Sequence, residues 1–91
     1  MLTTAELADI GADAVSELGL SRWRVFYADA KPEMLVNHKP AAQTAFNVSF
    51  NLTDGEAFLT IRFRVENQRK AAERDRQIKE ALKWRLQELG V

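Results

Sequence analysis

Two runs of alternating apolar and polar residues flank Asp54-Gly55, and they constrain the fold of this 91-residue chain more than any other feature. The apolar positions are Phe46, Val48, Phe50 and Leu52 in the first run and Leu59, Ile61, Phe63 and Val65 in the second. A period of two places the apolar side chains of a strand on one face. Asp-Gly is the preferred two-residue loop of a type I′ hairpin because both positions need positive φ. The pattern therefore predicts a β-hairpin.

A two-residue loop also predicts the register of this hairpin. It places Thr53 opposite Glu56, and it forms the apolar pairs Phe50–Leu59, Val48–Ile61 and Phe46–Phe63. The polar pairs are then Asn47–Arg62 and Ser49–Thr60. A slip by one residue would move every apolar side chain of the hairpin to the solvent face.

A helix is predicted on either side of the strands. Thr3 and Glu6 have the spacing of a capping box at the start of the first helix, and Gly19 is its expected end. The second helix is predicted over Asn67–Leu89, with Gly90 as its stop. Its apolar stripe consists of Ile78, Leu82, Leu86 and Leu89.

A further strand is predicted over Arg22–Tyr27, which is rich in strand-favouring side chains. Strict alternation would place Trp23, Val25 and Tyr27 on one face and Arg22, Arg24 and Phe26 on the other. Residues 29–42 are predicted to form a long loop, with Met34–Val36 as a candidate for a short extra strand.

The resulting α-β-β-β-α order predicts a single α+β domain in which both helices pack on one face of a three-stranded antiparallel sheet. One sheet face is then left open. The chain has no cysteine, so disulfides and thiolate metal sites are excluded. No apolar run approaches the roughly 18 residues of a membrane span, and no secretion signal is evident, so a cytoplasmic location is expected.

Charge is unevenly distributed although the formal net charge is zero. Residues 1–56 carry eight acids and four bases, whereas residues 57–91 carry five acids and nine bases. The protein can therefore present a basic face to an anionic partner, or pair head to tail with a second copy.

Residues suited to catalysis are scarce. His38 is the single histidine, and a lone histidine is more often solvated than a ligand or a base. The acids of the first helix form an outward row rather than a cluster with metal-ligand spacing: Glu6, Asp9, Asp13 and Glu17. We therefore expect neither an enzyme nor a bound metal or cofactor.

Two surfaces are candidates for binding. The open sheet face interleaves Phe26 and Phe58 with Arg22, Arg24, Arg62 and Arg64, and this combination suits single-stranded nucleic acid. The alternative is a solvated face on which arginine stems cover the rings. Trp84 lies opposite the apolar stripe of the second helix, so it is either a contact for a protein partner or is covered by the 29–42 loop.

The element order is similar to that of double-stranded RNA-binding domains. In that family a histidine between the first two strands and basic residues at the start of the last helix contact the duplex. The matching positions here are His38 and the run containing Arg69, Lys70 and Arg74, although the Gly-Pro that precedes the family's histidine is missing. The resemblance implies nucleic-acid binding by these residues.

The sequence thus supports two functional hypotheses. The first is a protein-interaction module, an accessory or inhibitor-like protein that contacts a partner or a second copy through Trp84, Phe26 and Phe58. The second is a nucleic-acid-binding domain that uses the arginines of the open face and the basic start of the last helix.

Overall fold

The structure, a computed structural model, describes residues 2–32 and 45–91. Its elements in chain order are α1 (Thr4–Glu17), β1 (Arg24–Pro32), β2 (Ala45–Thr53), β3 (Phe58–Glu66) and α2 (Ala71–Leu89). The strands form an antiparallel sheet of order β1-β2-β3. The predicted α+β fold with α-β-β-β-α order is confirmed.

Helix α1 begins and ends at the residues that its sequence predicted. The Thr3 Oγ1 accepts a hydrogen bond of 3.1 Å from the Glu6 N–H, which satisfies one of the free amides of the first turn. At the other end Leu20 N–H donates to the Val15 carbonyl at 3.0 Å, and Gly19 has φ of 69°. This is a Schellman motif, and Leu20 packs against the core as the motif requires.

The hairpin forms, but its predicted two-residue loop is wrong. Thr53 lies opposite Phe58, so the loop contains the four residues 54–57. Asp54 Oδ1 accepts hydrogen bonds from the N–H groups of Glu56 (2.9 Å) and Ala57 (2.7 Å). Thr53 Oγ1 accepts from Gly55 N–H at 3.0 Å and donates to the Ala57 carbonyl at 2.8 Å. These side chains satisfy the backbone of a wider turn.

The wider loop shifts the register by two residues from the predicted one. The observed apolar pairs are Phe50–Ile61, Val48–Phe63 and Phe46–Val65. Because side chains alternate with a period of two, this shift leaves every residue on its predicted face. The face of each hairpin residue was therefore predicted correctly, but its cross-strand partner was not.

Strand β1 contains a bulge that the sequence analysis did not anticipate. Val25 pairs with Leu52 and Tyr27 with Asn51, so Phe26 is an extra residue between them. Tyr27 therefore lies on the open face, and the prediction that it shares a face with Trp23 and Val25 is wrong. Trp23 is buried, whereas Tyr27 is half exposed.

The strand also extends further than predicted. Residues 29–32 belong to β1 rather than to a loop. The bulge allows this extension because it turns Ala28 towards the helices and Asp29 towards solvent. The rest of the predicted loop, including the candidate strand Met34–Val36 and His38, lies outside the described residues.

Helix α2 begins four residues later than predicted. Its N-cap is Lys70, which has an extended backbone and makes no side-chain hydrogen bond to the first turn. Residues 67–70 precede the helix, where Gln68 Nε2 donates to the Gln77 side chain at 3.2 Å. At the other end Gly90, the residue predicted to end the helix, adopts the left-handed conformation.

The core lies between one face of the sheet and both helices. Helix α1 packs over β1, α2 packs over β3, and the helices contact each other. Phe50 is fully buried at the centre, and its ring stacks on that of Phe63 with centroids 6.1 Å apart. Three fully buried residues of α2 complete this core: Ile78, Leu82 and Leu86.

Carboxylates at both ends of the acidic row on α1 pair with α2. Glu17 contacts the Nζ atoms of Lys79 at 2.7 Å and of Lys83 at 3.2 Å. Glu6 lies 3.8 Å from the guanidinium of Arg74. The row is exposed, as predicted, but part of the charge asymmetry along the chain is compensated within the molecule.

We expect replacement of Glu17 by glutamine to alter how stability depends on pH. Hydrogen bonds from Lys79 and then Lys83 lower the pKa of Glu17 below its ordinary value of 4.5. The ion pair therefore stabilises the fold fully above that value and is lost as the pH falls through the lower folded-state pKa. The variant should melt at a lower temperature than the wild type at neutral pH.

The difference in melting temperature should begin to shrink below pH 4.5 and then disappear. Thermal unfolding followed by circular dichroism from neutral to strongly acidic pH measures it. Asp9→Asn, at an exposed position of the same helix, controls for the loss of a carboxylate from α1. A difference that stays constant with pH would contradict the assignment.

Candidate functional site

The sheet face opposite the two helices, here called the open face, carries side chains from all three strands. The pairing places them in three rows: Arg24, Phe26, Tyr27, Asp29 and Lys31 on β1; Asn47, Ser49, Asn51 and Thr53 on β2; Phe58, Thr60, Arg62, Arg64 and Glu66 on β3. Within residues 2–32 and 45–91, no element packs on this face. The prediction that one sheet face stays uncovered by the helices is confirmed for that part of the chain.

Two phenylalanines form the most exposed aromatic cluster of the open face. The rings of Phe26 and Phe58 meet edge to face, with centroids 5.7 Å apart and an angle of 81° between their planes. Phe26 and Phe58 are 54% and 74% exposed, so a large part of each residue remains available to a partner. They come from β1 and β3 and meet near Thr53 of the intervening strand. We call them the aromatic pair.

Tyr27 adds a third aromatic side chain that the sequence analysis assigned to the wrong face. Its exposure follows from the bulge at Phe26. The sequence does contain a signal for the bulge. Without the bulge, strict alternation beyond Tyr27 would turn the charged Asp29 and Lys31 towards the helices. With the bulge, Ala28 and Ala30 take those positions.

The polar part of the open face is a shallow depression between β1 and β3. Tyr27, Asp29 and Lys31 form one wall and Arg62 and Arg64 the other; Asn47, Ser49 and Asn51 lie between them. The Thr60 hydroxyl donates to Asn51 Oδ1 at 2.9 Å across the strands. Three cations and one carboxylate, that of Asp29, line this depression, so its charge is mainly but not uniformly positive.

The structure separates the remaining residues of the predicted nucleic-acid site. Arg22 lies in the turn before β1, and Arg69 and Lys70 are exposed just before α2. The side chain of Arg74 is only 12% exposed and contacts Asp75 at 3.1 Å and Glu6 at 3.8 Å. Its guanidinium therefore belongs to the contact between the helices. His38 lies outside the described residues.

Trp84 is 62% exposed on the outward side of α2. The opposite side of that helix carries the buried Leu82, which packs onto the sheet. Trp84 and the aromatic pair consequently lie on opposite sides of the molecule. The three residues predicted to contact a protein partner form two separate surfaces.

Among the described residues, no group of three His, Asp or Glu side chains could hold a metal ion. In the same part of the chain, neither helix is long and apolar enough to cross a membrane. The expectation that the protein is not an enzyme stays a prediction.

Comparison of the chain with protein-family models, curated proteins and solved structures finds no match. The similarity to double-stranded RNA-binding domains thus remains one of element order, and it is not confirmed as a relationship.

Proposed function

We propose that this protein is a non-catalytic protein-interaction module that acts by covering a partner's surface with its open face. The observation that carries the proposal is the aromatic pair. Phe26 and Phe58 are both more than half exposed, yet they are held in contact across the sheet. Exposed aromatic clusters of this kind are typical of binding sites.

The physical argument rests on the area that the two rings can bury. A phenylalanine buries roughly 150–250 Å² in a well-packed site. At about 25 cal/mol per Å², covering the exposed part of both side chains would contribute several kcal/mol towards offsetting the entropic cost of association. Because the rings already hold each other in one arrangement, little side-chain entropy is lost when a partner covers them.

The surroundings of the aromatic pair suit a protein partner. Tyr27, Arg24 and Arg62 belong to the residue types enriched in interface hot spots. Asp29 and Glu66 add negative charge among these cations, so a partner of mixed charge is favoured over a uniform polyanion.

A nucleic-acid-binding function is the second candidate, and it is supported by the cations that flank the rings. Arg24, Lys31 and Arg62 could contact phosphates while Phe26 and Phe58 stack on bases. The overall charge of zero provides little long-range attraction for a polyanion. Arg74 is not included in this candidate site, because its guanidinium already contacts two carboxylates.

We expect the double variant Phe26→Ser/Phe58→Ser to bind a protein partner at least about 30-fold more weakly, as hot-spot losses of 2 kcal/mol or more imply. The partner is first captured from an extract of source cells on the immobilised protein, and its dissociation constant is then measured with purified components. Both residues are exposed, so the fold should persist. Trp84→Ser is the matched control, since it removes an exposed aromatic residue from the other side of the molecule.

Two further measurements separate the alternatives. Binding to labelled RNA or DNA that weakens as salt rises, and that requires Phe26 and Phe58, would replace the protein-binding proposal with the second candidate. Self-association through α2 predicts a dimer mass in solution that Trp84→Ser converts to a monomer mass. A captured partner that binds wild type and double variant equally would contradict the role of the open face.

A further inference from the structure

Strand β3 is an edge strand of the sheet, and it contains no bulge. All nine residues of Phe58–Glu66 pair with β2 in continuous register, and none of them is proline. Within the described chain, no strand pairs with the outer side of β3. An edge of this kind is a template on which a further strand can form.

The two edges of the sheet differ. Strand β1 carries a bulge at Phe26 and a proline at position 32, and both features hinder pairing with another strand. Strand β3 has neither. Addition of a strand is therefore favoured at the β3 edge.

The hydrogen bonds of the hairpin determine which groups point outward along this edge. Asp54 N–H donates to the Ala57 carbonyl at 3.4 Å, and this is the hydrogen bond between the two chain segments that lies nearest the hairpin loop. Since hydrogen-bonded and non-bonded pairs alternate in an antiparallel ladder, the N–H and C=O groups of Thr60 and Arg62 point away from β2. Consistent with this alternation, the carbonyl of Glu66 accepts from the Gln68 side chain at 3.4 Å.

The side chains beside this edge define what an added strand would carry. On the open face a residue paired with Arg62 would lie against its guanidinium, so a carboxylate is favoured there. On the other face Ile61 and Leu89 line a groove between β3 and the end of α2, and Leu89 is 54% exposed. An apolar side chain would cover Leu89 in that groove. The favoured segment therefore alternates acidic and apolar residues.

A second copy of β3 does not fit this description. Antiparallel pairing of β3 with itself in the register of greatest overlap places Arg62 directly opposite Arg62 of the second copy, and a shift of two residues in one direction places Arg62 opposite Arg64. Like charges directly opposite each other destabilise a sheet. These charges disfavour self-pairing of β3 in those two registers and favour an acidic segment as its partner.

We propose that β3 binds an extended acidic segment of a partner protein as a fourth strand, with a carboxylate beside Arg62 and an apolar side chain against Ile61 and Leu89. This inference rests on the proposed protein-binding function and assigns a binding mode to it. Backbone hydrogen bonds from Thr60 and Arg62 hold the segment, and the alternating side chains determine which sequences bind.

The test uses a nine-residue synthetic peptide in which Glu and Val alternate, titrated into the isotope-labelled protein and followed by NMR. We expect the amide signals of Thr60 and Arg62 to shift and their hydrogen exchange to slow. A peptide with Lys in place of Glu should bind at least tenfold more weakly. Absence of any change at the β3 amides up to millimolar peptide would overturn the inference.

Thr60→Pro removes one outward N–H but no hydrogen bond of the β2–β3 ladder. It should weaken peptide binding at least tenfold, whereas Thr60→Val, which keeps the N–H and also lacks the hydroxyl, should not. If the proline variant does not fold, Arg62→Glu serves instead and should reverse the preference between the Glu and Lys peptides. Equal binding by Thr60→Pro and Thr60→Val, or an unreversed preference in Arg62→Glu, would refute strand addition.

The outcome separates this inference from the proposed function. A captured partner that depends on Phe26 and Phe58 but binds Thr60→Pro as tightly as wild type would leave the interaction module intact and refute the fourth strand. Loss of the partner in both variants supports both proposals.

Discussion

Replacement of Phe50 by alanine is expected to lower the free energy of unfolding by about 3–5 kcal/mol. The side chain is fully buried at the centre of the core and stacks on Phe63. Truncation to alanine removes the free energy gained by taking the ring out of water, and it leaves a cavity beneath both helices. A chain of 91 residues is stabilised by about 5–14 kcal/mol in total, so this single change removes a large share of it.

Chemical denaturation followed by tryptophan fluorescence measures the effect, since Trp23 is buried in the same core. The matched control is Phe58→Ala, which makes the same change at a side chain that is 74% exposed. We expect the control to lose only about 1 kcal/mol, mainly through the loss of its contact with Phe26. Equal losses in the two variants would show that Phe50 is not the centre of the core.

Gly11→Ala is expected to destabilise the protein by about 1–2 kcal/mol, although alanine favours helix by about 1 kcal/mol over glycine. A Cβ at position 11 would lie 2.5 Å from Val25 Cγ2 and 3.1 Å from Phe50 Cε1. Val25 is β-branched and Phe50 is fully buried, so neither side chain can move away easily. The absence of a side chain at Gly11 lets α1 approach the sheet closely.

A double-mutant cycle tests this explanation. Val25→Ala removes the methyl group that would collide with the new Cβ, so the double variant should lose less stability than the sum of the single variants. Ala12→Gly, at the exposed neighbouring position, reports helix propensity alone and should cost about 1 kcal/mol. If Gly11→Ala instead stabilises the protein, the close contact between α1 and β1 is not as tight as described.

The two proposed contacts form a continuous docking surface. Phe58 and Arg62 belong to β3, and they contribute to the open face and to the free edge at the same time. A partner that adds a strand to β3 would therefore extend the open face and could reach the aromatic pair. Trp84 lies on the other side of the molecule and remains available for a separate contact.

Local patterns were sufficient to predict the order of the elements and the faces of the β2–β3 hairpin. Capping residues such as Thr3 and Gly19 act within one turn, and the alternation from Phe46 to Val65 assigns each side chain to a face whatever the loop length. The exposure of Phe26, Phe58 and Trp84 followed from the same periodicities. These features depend on neighbours in the chain, which the sequence displays directly.

Other features depend on contacts between residues distant in sequence, or on competition between alternative local hydrogen bonds. The hairpin register required the hydrogen bonds of Asp54 and Thr53 to compete successfully with a tighter turn. The bulge that brings Tyr27 to the open face arose because β1 must present alanines to α1. The guanidinium of Arg74 contacts both its chain neighbour Asp75 and Glu6 of the other helix, and these contacts remove it from the predicted nucleic-acid site. In each case the outcome was decided by groups distant in sequence or by competing hydrogen bonds, and only the folded arrangement brings these together.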